Sequence, residues 1–213
     1  KGIASEGPAD FRLCTSTDDT VSGNIVILGS TRSPSLDRII FETNHESNNL
    51  YAETMLKSLG KSLTGSACYD STYVALESIL KDMGIDTSYG LNAVDGSGLS
   101  RKNHISPDFF CRFLTAMMQS PHFEEYIHSL PSPGSNGTLQ YNMKNSPAET
   151  KERIKVKSGS MEGVRCYSGY VIPADGGRDE AIVFSLMVNN CTAPTWKVRQ
   201  LLDKIMAALA AAI

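Results

Sequence analysis

The sequence predicts an α+β fold in which helices come first, an antiparallel sheet follows, and one closing helix packs on that sheet. Three observations carry this. Apolar residues recur at helical spacing through the first two thirds of the chain. Three β-branched or aromatic runs, 153–157, 164–172 and 181–188, then follow with only short turns between them, and sequential strands so joined pair antiparallel. A last apolar stripe, Val198, Leu201, Leu202, Ile205 and Leu209, gives a helix one face for the sheet.

In chain order, residues 1–30 read as a lead-in segment, polar at first and then β-branched at 24–28, a strand candidate. Ser33-Pro34 has the form of an N-cap followed by proline in the first turn. Leu36, Ile39 and Ile40, and after a polar break Leu50, Met55, Leu56 and Leu59, fall at helical spacing. The break, 45–49, predicts two helices joined at Ser47, the second ending at Gly60. Asp70 or Ser71 is the expected cap of a helix stopping at Gly84, and Asp95-Gly96-Ser97-Gly98 a tight turn. Ser106-Pro107 and Ser120-Pro121 repeat the cap-plus-proline signal, opening helices of about twelve and about eight residues. A loop rich in proline, glycine and serine spans 131–137, and Gly163 and Asp175-Gly176-Gly177 turn the three strands.

At 213 residues, 41% apolar and 20% charged, the chain can bury one good core and is not of disordered composition. A net charge of −3 offers no field for a phosphate backbone, which excludes nucleic acid as a partner. No apolar run approaches the roughly 20 residues of a membrane span. Five scattered cysteines and His45, His104, His122 and His128 form no ligand pair, so no metal or other cofactor is expected. Most of the cysteines are expected to be small buried residues, with Cys166 inert. Trp196 is expected to pack the last helix onto the sheet, and His45 to lie on a helix surface. The chain opens on Lys1 and reads as part of something longer.

Three stretches in fixed order carry a family resemblance: 33–60, SPSLDRIIFETNHESNNLYAETMLKSLG; 94–103, VDGSGLSRKN; and 155–170, KVKSGSMEGVRCYSGY, preceded by Gly137-Thr138-Leu139. Together they resemble the penicillin-binding D-alanyl-D-alanine carboxypeptidase/endopeptidase family of serine type. The resemblance implies a β-lactamase/transpeptidase-like fold, an antiparallel sheet flanked by helices. Residues 31–213 would be the C-terminal part of the catalytic domain, with its N-terminal part outside the chain. It also implies an extracytoplasmic protein whose ligands are peptidoglycan stem peptides and β-lactams.

On the matching positions, the resemblance makes Ser47-Asn48-Asn49 and Lys157-Ser158-Gly159-Ser160 two of the three catalytic motifs. Ser47, whose hydroxyl both donates and accepts, would relay a proton toward the leaving amine, and Asn49 would hold the substrate backbone. The Lys157 ammonium would attract the terminal carboxylate and orient Ser47, with Ser158 and Ser160 adding hydroxyls. Gly159 would let substrate approach the strand, and the Ser160 N–H would form half of an oxyanion hole. Judged alone, Ser47-Asn48-Asn49 reads as a helix cap, and it is the matching flanks that favour the catalytic role.

The nucleophile of this class is the serine of Ser-Xaa-Xaa-Lys, which in the family precedes Ser-Xaa-Asn. Ser58-Leu59-Gly60-Lys61 and Ser78-Ile79-Leu80-Lys81 fit the string but follow Ser47, and read as coincidences. The nucleophile would then lie outside these residues, leaving the chain alone inactive. The strands before it would belong to the same sheet, so an unpaired edge is expected, completed by an N-terminal fragment or by self-association. A non-catalytic cell-wall binding or scaffold protein with a degenerate site, and a serine β-lactamase, are the alternatives.

Overall fold

The computed structural model describes residues 30–213; the strand read at 24–28 and Cys14 lie outside them. Residues Pro34–Ile213 form one unit. Its elements are α1 (Leu36–Glu46), α2 (Asn49–Thr64), α3 (Tyr69–Asp82), β1 (Leu91–Asn92), β2 (His104–Ile105), α4 (Pro107–Met118), α5 (Phe123–Ser129) and α6 (Ala148–Glu152). There follow β3 (Ile154–Met161), β4 (Val164–Val171), β5 (Ile182–Val188) and α7 (Thr195–Ala211).

Strands β3, β4 and β5 form an antiparallel sheet in that order, with Lys157 opposite Ser168. Side chains alternate across a strand, and the sheet uses both faces. Ile154, Val156, Tyr167, Val171 and Phe184 pack with Val198, Leu202 and Met206 of α7. On the other face Tyr170 packs with Leu114 of α4 and Phe123 of α5, and its hydroxyl donates to the Leu114 carbonyl at 2.8 Å. This burial on both sides, not strand propensity alone, holds β3 and β4 in register. Among the described residues, no helix is long and apolar enough to cross a membrane.

Several boundaries differ from the sequence reading. The α1 N-cap is Ser35, not Ser33. α2 runs past Gly60 to Thr64 and is capped by Gly65 at φ 79°. Gly60 is a packing residue instead: a Cβ there would stand 2.4 Å from Thr72 Oγ1 and 2.9 Å from Thr72 Cα on α3. A helix-interior glycine costs about 1 kcal/mol, which close approach of α2 and α3 offsets. Gly60→Ala is therefore expected to destabilise the unit by about 1–3 kcal/mol despite alanine's helix propensity. Urea denaturation measures this, and a neutral or stabilised variant would contradict the close approach.

α3 begins at Tyr69 with Cys68 as N-cap, two residues before Asp70 and three before Ser71. The Cys68 N–H donates to Ser66 Oγ at 3.2 Å and its Sγ lies 3.0 Å from Ser71 Oγ. Ser106 caps α4 as read, accepting from the Phe109 N–H at 3.0 Å with Pro107 in the first turn. Ser120-Pro121 instead forms a turn, Ser120 Oγ accepting from the His122 N–H, and α5 starts at Phe123. The two-residue ladder β1–β2 and the short α6 carried no periodic signal.

The inward face of α7 is Val198, Leu202, Met206 and Ala210, whereas Leu201 and Ile205 are 58% and 36% exposed. Trp196 is 52% exposed and does not pack on the sheet; it precedes the first inward turn, and the Lys197 ammonium lies 5.5 Å from its ring centre. The described cysteines are not fully buried either: Cys68 is exposed, and Cys111, Cys166 and Cys191 are half-buried. Burial nevertheless pushes the Cys166 thiol above its ordinary pKa, consistent with an unreactive group.

Candidate active site

The site starts where α1 ends. Ser47 adopts a left-handed conformation (φ 56°, ψ 49°), where glycine is usual, and the Asn48 N–H reaches back to the Thr43 carbonyl at 3.2 Å. Such a conformation costs a non-glycine residue about 1–2 kcal/mol, and strain of this kind gathers at functional sites. The next residue starts the next helix: Asn48 Oδ1 accepts from the Tyr51 N–H at 3.1 Å, capping α2. Capping thus falls to the middle residue of the triplet. Ser47 is released from it, and Asn49 is exposed at the first position of α2, with no side-chain hydrogen bond to a described residue.

β3 supplies the other half. Lys157 Nζ donates to Ser47 Oγ at 2.9 Å across 110 residues of chain, and to the Ser158 carbonyl at 2.7 Å. Burial lowers the Lys157 ammonium from its ordinary 10.5 to about 8, because removing water penalises the charged form. An ammonium has three donors, so one N–H remains for a ligand. Ser158 Oγ donates to Thr138 Oγ1 at 3.2 Å. Gly159 and Ser160 continue β3 as exposed residues opposite Cys166 and Arg165. A Cβ at Gly159 would meet only Cys166 Cβ, at 3.8 Å. The protein's own packing therefore does not require glycine there.

Sequence reasoning saw residues 131–139 only as an approach loop. They run between α1 and β3: the Val156 N–H donates to the Pro131 carbonyl at 3.0 Å and Lys155 Nζ to Ser132 Oγ at 3.0 Å. The Thr138 N–H donates to the His45 carbonyl at 3.2 Å. Gly137-Thr138-Leu139 was the available signal: Gly137 sits at φ 90°, where a Cβ would stand 2.6 Å from the His45 carbonyl oxygen, and Leu139 is fully buried. His45 lies on α1 as read, but is not fully exposed. It is half-buried and stacked on Phe41 at 4.0 Å, and burial lowers its pKa.

Asp95 organises the turn 95–103, accepting from the N–H groups of Gly98 and Ser100 and from Asn103 Nδ2, each at 2.8 Å. Burial pushes its carboxyl up, but these donors together outweigh that and hold it below the usual range. The turn is structural, as read, and is tied to α2 by the Gly96 N–H donating to Glu53 Oε2 at 2.7 Å. Ser58 and Lys61 lie exposed on α2, and Ser78 and Lys81 exposed on α3. Lys61 Nζ is engaged by the Gly65 carbonyl at 2.8 Å.

Among the described residues, a three-stranded sheet with α7 on one face and α4 and α5 on the other, and a helix-end serine held by a lysine of β3, make a β-lactamase/transpeptidase-like fold. The structure superposes on penicillin binding protein 4 from Haemophilus influenzae, complexed with a novel β-lactam, with a TM-score of 0.69 at 23% identity, covering 82% of this chain and 40% of that one. The model of the D-Ala-D-Ala carboxypeptidase 3 (S13) family matches residues 16–211, and the chain belongs to that family.

Penicillin-sensitive carboxypeptidase A of Dictyostelium discoideum is 35% identical over 83% of this chain and 34% of its own length. The D-alanyl-D-alanine carboxypeptidase of an Actinomadura species is 33% identical over 79% of this chain and 31% of its own length. The chain thus spans about a third of the length of these relatives.

Proposed function

We propose that residues 31–213 are the C-terminal part of the catalytic domain of a serine-type D-Ala-D-Ala carboxypeptidase, acting on peptidoglycan stem peptides by acyl-enzyme chemistry. Endopeptidase action on cross-links is open to the same cleft. The observation that carries the reading is the 2.9 Å contact of Lys157 Nζ with Ser47 Oγ. It brings together a cation for the substrate's terminal carboxylate and a hydroxyl able to pass a proton to the departing amine.

In this reading Asn49, exposed beside Ser47, holds the substrate's peptide group. Ser158 and Ser160 donate to the carboxylate, Gly159 leaves the strand open to substrate, and the Ser160 N–H serves the oxyanion. The serine nucleophile and its lysine lie outside these residues. β-Lactams bind as substrate mimics that carry the same carboxylate beside an acylating amide. The protein works outside the cytoplasm, where peptidoglycan lies. β5 pairs only with β4 among the described residues, and its other edge is where the rest of the domain, or a second copy, would add strands.

The full-length protein is expected to form a long-lived covalent adduct with labelled penicillin and to release D-alanine from a D-Ala-D-Ala peptide. The 213-residue chain by itself is expected to form none. A full-length protein that never takes up the label would refute the reading, and rapid turnover of the antibiotic would favour a β-lactamase. The lack of a usable Ser-Xaa-Xaa-Lys among these residues motivates a non-catalytic cell-wall binding or scaffold protein as the second reading, and an upstream Ser-Xaa-Xaa-Lys that carries the adduct removes that motivation.

A further inference from the structure

Thr138 joins the two halves of the site, and neither catalytic motif contains it. Its N–H and its Oγ1 both meet the His45 carbonyl, at 3.2 and 3.3 Å. That carbonyl is one of the orphan acceptors at the end of α1, two residues before Ser47. The same Oγ1 lies 3.2 Å from Ser158 Oγ on β3. A carbonyl only accepts, so the single Thr138 proton goes to His45, and Ser158 must spend its own proton on Thr138.

This arrangement can reverse. The Thr138 N–H alone keeps the His45 carbonyl satisfied, so the Thr138 hydroxyl is free to rotate away. It can then donate to Ser158 Oγ, and the Ser158 hydroxyl can turn its proton to an incoming acceptor. A carboxylate, which accepts only and carries full charge, is the ligand group that would drive the reversal. Hydrogen bonds in such a chain polarise one another, so Ser158 becomes a better donor when Thr138 donates to it. Gly137 permits the geometry, since a Cβ there would push the loop off the His45 carbonyl.

We propose that Thr138 is a positioning residue for carboxylate recognition, orienting the Ser158 hydroxyl through a two-hydroxyl relay anchored on the end of α1. The proposal deepens the carboxypeptidase reading and rests on it. Thr138 is exposed, so its substitution leaves the core alone and can be read kinetically.

The test compares the full-length enzyme with its Thr138→Val and Thr138→Ser variants, each on a peptide ending in D-Ala-D-Ala and on the same peptide with its C-terminal carboxyl amidated. Thr138→Val is expected to lower the carboxylate-over-amide ratio of kcat/KM by about three- to tenfold, mainly through KM, a loss of the size expected for one neutral hydrogen bond, since Thr138 acts on the Ser158 hydroxyl and not on the carboxylate itself. Thr138→Ser, which keeps the hydroxyl, is expected to stay within about twofold of wild type. An unchanged ratio in Thr138→Val, or an equal loss in Thr138→Ser, overturns the relay while leaving the carboxypeptidase reading intact. A wild-type enzyme that cleaves neither peptide and takes up no penicillin overturns that reading, and the relay with it.

Discussion

Lys157→Met is expected to cut acylation of the full-length protein by penicillin at least about a hundredfold, while making the folded unit more stable at pH 7. The first effect follows, on the proposed function, from losing the cation that would face the ligand carboxylate. Truncating one partner of a buried, hydrogen-bonded charge pair costs about 2–5 kcal/mol. The second follows from burial. The ammonium's fall from 10.5 to about 8 corresponds to roughly 3 kcal/mol against the charged form at most, discounted because the group is only partly buried and because Ser47 and the Ser158 carbonyl partly compensate it. Methionine fills similar volume without charge, so a net gain of about 1–2 kcal/mol is expected.

The pH dependence separates this from a packing effect. Below pH 8 the lysine is charged in both the folded and unfolded states, and the burial cost is fully present. Between pH 8 and 10.5 the unfolded chain holds more protons than the folded one, so wild-type stability from this group rises with pH. The advantage of methionine should therefore be largest at pH 7 and gone by about pH 10.5. Carboxylate affinity of the wild type should fall over the same interval as the free ammonium is lost. Melting temperatures of both proteins from pH 6 to 11 measure the first trend. A gain that does not change with pH, or a methionine variant less stable at pH 7, sinks the argument.

Gly169→Ala is expected to be the most damaging single-methyl change in the sheet. Gly169 lies on β4 between Val156 of β3 and Phe184 of β5. A Cβ there would stand 2.0 Å from the Lys155 carbonyl oxygen and 2.7 Å from Val156 Cα. These are backbone atoms, which cannot swing aside as a side chain does, so β3 must shift bodily. Ile154 and Val156 are fully buried on that strand, and moving them opens the core against α7. About 3–4 kcal/mol of destabilisation is expected, a large share of the 5–15 kcal/mol that holds an ordinary domain together. Urea denaturation gives the energy, and amide shifts from Lys155 to Ser160 report whether the lysine strand has moved. A cost below about 1 kcal/mol would show that the sheet absorbs the methyl without displacing β3.

Features confined to one segment were legible before any coordinates. Ser106-Pro107 could be read as a cap because the hydroxyl, the proline and the helix they start are adjacent. The three strands could be read because each is a β-branched or aromatic run bounded by a short turn, a signal held within the run itself. The motif triplet was legible as a break between two helices, yet which of its residues does the capping was not. Serine and asparagine both cap helices, and only the left-handed turn at Ser47 passes that duty to Asn48.

Gly60 and Gly169 were misread or passed over because a glycine's reason is often the neighbour it admits, here Thr72 and the backbone of β3. The stripe of α7 was ambiguous because apolar residues at 198, 201, 202, 205, 206 and 209 fit two adjoining faces. The sheet surface, meeting Val198, Leu202 and Met206, chose between them. Thr138 carried a signal only as part of Gly137-Thr138-Leu139; its significance is the meeting of two segments.

The chain by itself determined the fold class, the family and the two candidate motifs, since these depend on local spacing and on residue types that keep their chemistry anywhere. Only the tertiary structure decided that Lys157 reaches Ser47, that burial lowers its proton affinity, and that Thr138 stands between Ser158 and the end of α1. Such contacts depend on which faces meet after the chain has folded, and on how much water is left when they do. Neither is written in the order of residues along a single segment.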